Sequence, residues 1–482
     1  MLRCLSLTAE KDADKIEDIR RFSDFIDAVE IRLDLCEKRS PETVASICEA
    51  ASCPVILSYR RAEDTSAGMT SPGARTSEDK RLDTLYHAMV RGVSFVDIEY
   101  DARADFILRR AGELQIRVIR SVHDFNGVPD NLPDIVQAAA AAGAIPRAAC
   151  FPRDSRAAVK FLRICEDLRG VKEKIMQGMG PYGFFSSVAP WLCGSMLTFL
   201  SAGDKNAAPG QINPRELEEV YGLSRHGIET RIFGIIGNPV MHTRSPQLHN
   251  RWFSEEGMNA VYIPFQVDNV KAFMELAGII GIRGFSVTVP HKRNIIRYMD
   301  SVSEGVRRIG SCNTAARTAR GWFGSNTDFE GFLEPLKERL ELGKIRKALV
   351  IGAGGAARAV VYALRSHEIE VTIVNRTAEK ARDLAEEMGG DWTSFDDLSP
   401  AAVFDLVAQT TSAGMAPDID GDPLPGFQFR GSEIVYDIIY APEKTHLLAR
   451  AETAGCTIIG GSKMLRAQAE LQFSQFKESC NL

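Results

Sequence analysis

Three things are scarce in this 482-residue chain, and each scarcity removes a class of function. No apolar run comes near the ~20 residues that a membrane-spanning helix needs, so no membrane partner is expected. Surplus charge is small. Lys and Arg number 58 against 64 Asp and Glu, and the net charge of −6 argues against a nucleic-acid partner. Metal-ligand spacing is missing too. Ten cysteines are scattered with no C-x-x-C or C-x-x-H among them, so reduced thiols are expected rather than disulfides or a metal site. The chain has no internal repeat and no low-complexity tract. Its N-terminal MLRCLSLTAEKDADK holds an apolar patch too short for a signal peptide, with charges following at once, and a cytoplasmic location is expected.

What is present reads as a globular protein, 45% hydrophobic and 25% charged, long enough for two or three domains. The first 220 or so residues carry short β-like runs: CLSLT, AVEIRLDL, PVILSYR, FVDIEY, RVIRSVHD, IPRAACF, KIMQGMG and a weak last one at APGQI (208–212). Amphipathic helical stretches such as RAAVKFLRICEDLR separate most of them. Eight β/α units in this length predict an α/β fold that begins with a small (β/α)8 barrel. The pattern changes at YGLSRHGIET (221–230), where a polar, glycine-containing linker precedes a fresh strand, RIFGIIGNPV. A mixed α/β stretch follows to about 335. Then KALVIGAGGAARAVVYAL sets a strand, a glycine turn and a helix in succession.

That turn, Gly352-Ala353-Gly354-Gly355-Ala356-Ala357, fits G-x-G-x-x-A. The first glycine permits the tight turn, the second lets the backbone approach a pyrophosphate, and the small Ala357 allows close helix–strand packing. The strand VTIV then ends at Asn375-Arg376-Thr377, with Lys380 one turn on. An acidic residue there would hold the ribose 2′-hydroxyl of NAD. A neutral residue, two cations and a hydroxyl suit a 2′-phosphate, so NADP is the expected cofactor.

Polar clusters lie outside this unit. NPVMHTRSP presents Thr243 and Ser245, whose hydroxyls would face one way if the segment were extended. SVTVPHK places Thr288 at a strand end and Lys292 after a proline turn, while GSCNT carries Asn313 and GSNTDFEG carries Asp328. Each alone reads equally as a turn cap or a surface residue. Together, and in order with NRT, TTSAGM, YDIIYAP and GSKMLRAQA, they closely resemble shikimate dehydrogenase from Arg231 to the C-terminus. The resemblance implies that Thr243, Ser245, Thr288, Asn313, Asp328, Tyr440 and Gln468 hold shikimate. It implies that Lys292 and Asp328 form the catalytic pair, and that Ile438, Gly461 and Met464 line the nicotinamide pocket. A lysine near a reducible ketone can donate the proton and stabilise the developing oxyanion. Departures from the family pattern are Thr243 for a serine, Ser286 and Gln409 for asparagines, and Lys380 for an arginine.

AVEIRLDL, LSYRR, RSVHDF and AAPGQI resemble type I 3-dehydroquinate dehydratase, a (β/α)8 barrel, over roughly residues 1–220. The resemblance implies that His123 moves protons and that Glu30, Arg32, Arg60 and Gln211 belong to the dehydroquinate site. The family's Schiff-base lysine aligns with Arg147 in GAIPRAACFP. A guanidinium stays protonated and is a poor nucleophile, so it cannot readily form the imine. A family arginine also appears as Ser187, and a family serine as Ala207.

The expected organisation is a barrel over 1–225, then a two-domain shikimate dehydrogenase unit. That unit comprises a substrate-binding α/β domain over 231–335 with the C-terminal helix 462–482, and a Rossmann NADP domain over 340–461. The expected function is NADP-dependent reduction of 3-dehydroshikimate by a monomer with small-molecule substrates, with the dehydratase activity put in question by Arg147. The alternatives are a fully bifunctional enzyme, or a quinate-preferring dehydrogenase with a structural barrel.

Overall fold

A computed structural model describes residues 1–64, 76–90, 92–203, 208–341 and 343–480; Ala207 lies outside them. The chain forms two compact units, Met1–Ile282 and Arg283–Leu482. The linker expected at 221–230 therefore lies within the first unit.

The first unit opens with eight parallel strands: β1 (Leu2–Leu7), β2 (Ala28–Arg32), β3 (Val55–Ser58), β4 (Val93–Glu99), β5 (Arg117–Asp124), β6 (Ile145–Cys150), β7 (Ile175–Gly178) and β8 (Leu197–Ser201). Their spatial order is β7-β6-β5-β4-β3-β2-β1-β8. At the seam, Met196 N donates to Lys174 O at 2.8 Å and Met176 N donates to Ser195 Oγ at 3.0 Å. The eighth strand is thus LTFLS and not the expected APGQI. Proline and glycine break that segment, whereas LTFLS carries the β-branched and aromatic residues that a pleated ladder favours. Ile212 makes only an isolated bridge to Leu200.

Period-two alternation sorts the barrel residues. Leu5, Leu7, Val29, Ile31, Leu57, Val96 and Ile98 join a core that includes helix residues such as Ile19, Val44, Leu85 and Ile107. Inside the barrel, Cys4, Ala28, Ile56, Ile119, Ile145, Ile175, Leu197 and Phe199 form a separate apolar cluster. Two residues further along the strands the same inward face becomes polar, with Ser6, Glu30, Ser58, Asp97, Ser121 and Arg147 all buried. The first unit then adds β9 (Arg231–Gly237) and β10 (Ala260–Gln266), paired in parallel.

In the second unit, β11 (Ile282–Val287) pairs antiparallel with β13 (Thr314–Thr318), and β13 forms a hairpin with β14 (Gly321–Ser325). The short β12 (Ser301–Val302) flanks β14. A second sheet holds β15 (Lys347–Ile351), β16 (Glu370–Val374), β17 (Asp391–Thr393), β18 (Leu406–Gln409), β19 (Ile434–Asp437) and β20 (Thr457–Ile459). It is wholly parallel, in the order β17-β16-β15-β18-β19-β20. This 3-2-1-4-5-6 arrangement is the doubly wound dinucleotide fold, with its switch point between β15 and β18. The last helix, Gly461–Ser479, returns to the first of these sheets: Ser286 Oγ donates to Gln472 Oε1 and Ser325 Oγ to Gln475 Oε1, both at 2.6 Å. Among the described residues no helix is long and apolar enough to cross a membrane, and no cluster of acidic, His or Cys residues is placed to hold a metal.

Candidate functional site

The proline turn after β11 and the start of the helix Asp328–Leu333 bring Lys292 and Asp328 together. Lys292 Nζ lies 2.5 Å from Asp328 Oδ2. The aspartate is almost wholly buried, while the lysine keeps part of its side chain open. Asn313 fixes the other carboxylate oxygen, donating from Nδ2 to Asp328 Oδ1 at 2.8 Å. Its own amide is oriented in turn, because Asn313 Oδ1 accepts from Thr327 N and Thr314 Oγ1, each at 2.8 Å. Gln468, on the last helix, reaches the same amide at 3.5 Å. Asp328 is thus a carboxylate with few rotamers left, and its partner is a lysine in one position. Such an arrangement holds a charged donor where a substrate oxygen can meet it. Thr288 and Tyr440 are half-buried beyond the ends of β11 and β19.

The glycine turn follows β15. Gly352 adopts φ +114°, and a Cβ there would sit 2.5 Å from Thr410 Oγ1, so only glycine fits. A Cβ on Gly354 would meet nothing within 4 Å, which leaves the backbone at the helix N-terminus open to approach. The helix Gly355–Arg365 has no acidic residue in its first turn to oppose an anion. A Cβ on Gly355 would lie 3.5 Å from Lys292 Cδ, so this turn adjoins the lysine–aspartate pair. At the end of β16, Asn375 Nδ2 closes a turn on Thr377 O, and Arg376 and Lys380 are exposed, with no ion pair among the described residues. Open glycine backbone and two exposed cations fit a dinucleotide diphosphate and a 2′-phosphate. Ile438, Gly461 and Met464 lie together beyond β19 and β20. A Cβ on Gly461 would lie 2.1 Å from Ile438 O, so glycine is required there as well. Asp437, which the sequence reading passed over inside YDIIYAP, anchors this corner. Its carboxyl accepts from Ile439 N at 2.9 Å and Thr445 Oγ1 at 2.7 Å, and burial pushes it up to about 6.

Thr243 and Ser245 belong to the first unit. Their hydroxyls do converge, 3.1 Å apart, but through a turn at Arg244 rather than an extended segment. Ser245 N donates to Thr243 Oγ1, and Ser245 opens the helix Ser245–Glu255.

Inside the barrel, Arg147 is an ion-pair partner twice over. Its Nη1 lies 2.7 Å from both Glu30 Oε1 and Asp97 Oδ2. Arg60 completes the set, with Nη1 and Nη2 on the two Asp97 oxygens at 2.9 and 2.5 Å and Nη2 on Glu30 at 3.3 Å. Ser6, Ser58 and Ser121 add hydroxyl bonds, and the Arg147 guanidinium stacks 3.6 Å above the Phe199 ring. Two cations and two anions therefore neutralise each other in a buried layer. Burial would raise the carboxyls, but Arg147 and Arg60 outweigh it and bring Glu30 and Asp97 down to about 2. His123, one layer nearer the strand ends, is held neutral by burial and by Arg60 and Arg147, and its Nδ1 has no partner among the described residues. Arg32 stands apart in a bidentate pair with Asp34, and Gln211 reaches Ser6 Oγ at 3.4 Å. Sequence reasoning missed Asp97. The signal was available, since FVDIEY sets a charge in an apolar strand just as GAIPRAACFP does.

Comparison with known proteins follows this division of geometry. Residues 3–228 match the type I 3-dehydroquinase family, residues 235–315 the shikimate dehydrogenase substrate binding domain, and residues 336–416 the shikimate/quinate 5-dehydrogenase family. The chloroplastic bifunctional 3-dehydroquinate dehydratase/shikimate dehydrogenase of Arabidopsis thaliana is 31% identical over 474 residues, covering 93% of this chain and 77% of its own. The NADP(+) shikimate dehydrogenase of Caldanaerobacter subterraneus subsp. tengcongensis is 38% identical, covering 51% of this chain and 90% of its own. That of Moorella thermoacetica is 39% identical, covering 51% and 87%.

Proposed function

The chain belongs to the family of bifunctional 3-dehydroquinate dehydratase/shikimate dehydrogenases, and we propose that its dehydrogenase half interconverts 3-dehydroshikimate and shikimate with NADP while its barrel performs no imine chemistry. The observation that carries the first part is the 2.5 Å pair of Lys292 and Asp328, with Asn313 locking the carboxylate. Bound NADPH would supply the hydride and NADP accept it in reverse. Lys292 donates a proton to the carbonyl oxygen as charge develops there, and recovers it in the oxidation. Asp328 keeps the lysine aimed through their 2.5 Å contact. Asn313 and Gln468, with Thr243, Ser245, Thr288 and Tyr440, hold the ring hydroxyls and carboxylate. Gly352, Ala353, Gly354, Gly355 and Ala356 cradle the diphosphate, Asn375, Arg376, Thr377 and Lys380 hold the adenosine end, and Ile438, Gly461 and Met464 flank the nicotinamide. The functional division is 1–225, 231–335 with 462–482, and 340–461.

For the barrel, the supporting observation is that Arg147 is committed to Glu30 and Asp97. A guanidinium so paired has no lone pair to offer a ketone. Glu30, Arg60 and Arg147 form its ionic layer, and His123, Arg32 and Gln211 lie around it.

The test is shikimate oxidation by the full chain with NADP. Lys292→Ala should lower kcat by about 10²-fold or more, and an unchanged rate would sink the catalytic assignment.

A further inference from the structure

Strand β6, which carries Arg147, ends at Cys150, and the helix Ser155–Asp167 begins shortly afterwards on the mouth side of the barrel. The start of this helix is held twice. Its own Asp154 accepts from Ala157 N at 2.8 Å, as an N-cap does. Asp268, from the segment after β10, holds it a second time. Asp268 Oδ1 accepts from Ser155 N at 2.9 Å and from Ser155 Oγ at 2.5 Å. Ser155 Oγ lies 3.1 Å from Asp268 N and 3.3 Å from Asn269 N, so the serine and the segment grip each other.

Asp268 sits two residues past the end of β10, and the bonds continue from there. Val267 N donates to Gly237 O at 3.0 Å. Gln266 Nε2 donates to Asn238 Oδ1 at 2.7 Å, and Gln266 Oε1 accepts from Val240 N at 3.2 Å. Thr243 N then donates to Val240 O at 3.1 Å. Hydrogen bonds joined through short stretches of backbone therefore connect a barrel helix to the loop that carries Thr243 and Ser245. Packing runs the same way. Phe185, after β7, stacks on Phe265 of β10 with ring centroids 6.3 Å apart, and the helix that Ser245 opens rests on the helix Pro214–Tyr221, which follows β8. The ion pair Arg163–Glu275 joins neighbouring helices at 2.6 Å, but both side chains are largely in water and it contributes little.

We propose that the mouth of the barrel is a docking platform that positions the loop carrying Thr243 and Ser245, with Ser155 and Asp268 as its positioning residues. The inference rests on the reading of those two hydroxyls as shikimate ligands. A loop without regular structure loses entropy when it must order around a substrate, and a loop already anchored loses less. The barrel thereby serves the dehydrogenase without any chemistry of its own.

The experiment measures shikimate KM, NADP KM and kcat separately for full-length variants. Asp268→Ala should raise shikimate KM by about tenfold, the loss expected of a charge-assisted bond, with kcat and NADP KM within about twofold. Asp268→Asn keeps an oxygen acceptor and should stay within about threefold of the unaltered chain. An unchanged shikimate KM in Asp268→Ala overturns the proposal, as does a loss of kcat and NADP KM in parallel. Should Asp268→Ala fail to fold, Ser155→Ala decides, since its helix keeps the Asp154 cap. A rise of about threefold or more in shikimate KM supports the platform, and no rise overturns it. An unaltered chain that does not oxidise shikimate refutes the substrate reading itself, and the platform with it.

Discussion

Replacing Arg147 with methionine should destabilise the barrel strongly at neutral pH and much less in acid. The substitution removes one of two cations from a layer that holds two carboxylates, Glu30 and Asp97, each bonded to Arg147 at 2.7 Å. The drop of the Glu30 carboxyl from 4.5 to about 2 corresponds to roughly 3 kcal/mol of preference for the ionised form in the fold. Arg60 and Arg32 share in that preference, and breaking a buried pair from one side typically costs about 3–5 kcal/mol. Loss of the cation over Phe199 adds about 0.5–2 kcal/mol, whereas methionine keeps most of the apolar volume. The depressed Glu30 value stabilises the native barrel fully above its unfolded value of 4.5 and progressively less as pH falls toward 2. In the variant Glu30 titrates at higher pH, so the difference between the two proteins shrinks progressively as pH falls from about 4.5 toward 2. Hydrogen exchange of the barrel strands, compared between variant and parent at each pH, reads this locally. Equal protection of β5 and β6 at pH 7, or a deficit that grows on acidification, would refute the ion-pair account.

Further outcomes are expected elsewhere. Incubation with dehydroquinate and borohydride should leave no covalent adduct on the barrel, and a trapped adduct in mass spectrometry would show that a nucleophile other than Arg147 is at work. Arg376→Ala combined with Lys380→Ala should raise NADP KM by about tenfold or more while sparing shikimate KM; an unchanged ratio of NADP to NAD efficiency would remove these cations from the cofactor site. Gly461→Ala puts a methyl group where Ile438 O already lies at 2.1 Å. It should lower kcat/KM for NADP by about 10²-fold through displacement of the Ile438 backbone, and near-normal kinetics would show that the corner yields freely.

Much of the candidate site was legible because its signals are local. Gly352 and Gly354 announce a turn through the absence of side chains, and Lys292 follows a proline that ends a strand. Seven of the barrel strands could be placed from apolar runs bounded by turn residues, and the parallel nucleotide sheet from strand–turn–helix order. APGQI was mistaken for the eighth strand because its position in the count outweighed its Pro-Gly chemistry, while LTFLS went unread. Thr243 and Ser245 were expected to align through strand periodicity, whereas a turn at Arg244 brings the hydroxyls together. Asp97 was overlooked because a carboxylate in a strand says nothing of which cation lies across the barrel.

Sequence alone was enough for seven of the barrel strands, for the strand–turn–helix order of the nucleotide sheet and for the dinucleotide turn. Those depend on neighbours within a few residues, and propensity, spacing and side-chain chemistry act at that range. Tertiary structure decided the partners. Arg147 meets Glu30 across 117 residues and Asp97 across 50, and Ser155 meets Asp268 across 113. Such meetings follow from strand register and barrel curvature, which set several inward residues at one level. A buried charge calls for a partner, but only the closed geometry of the fold determines which carboxylates are near enough to answer.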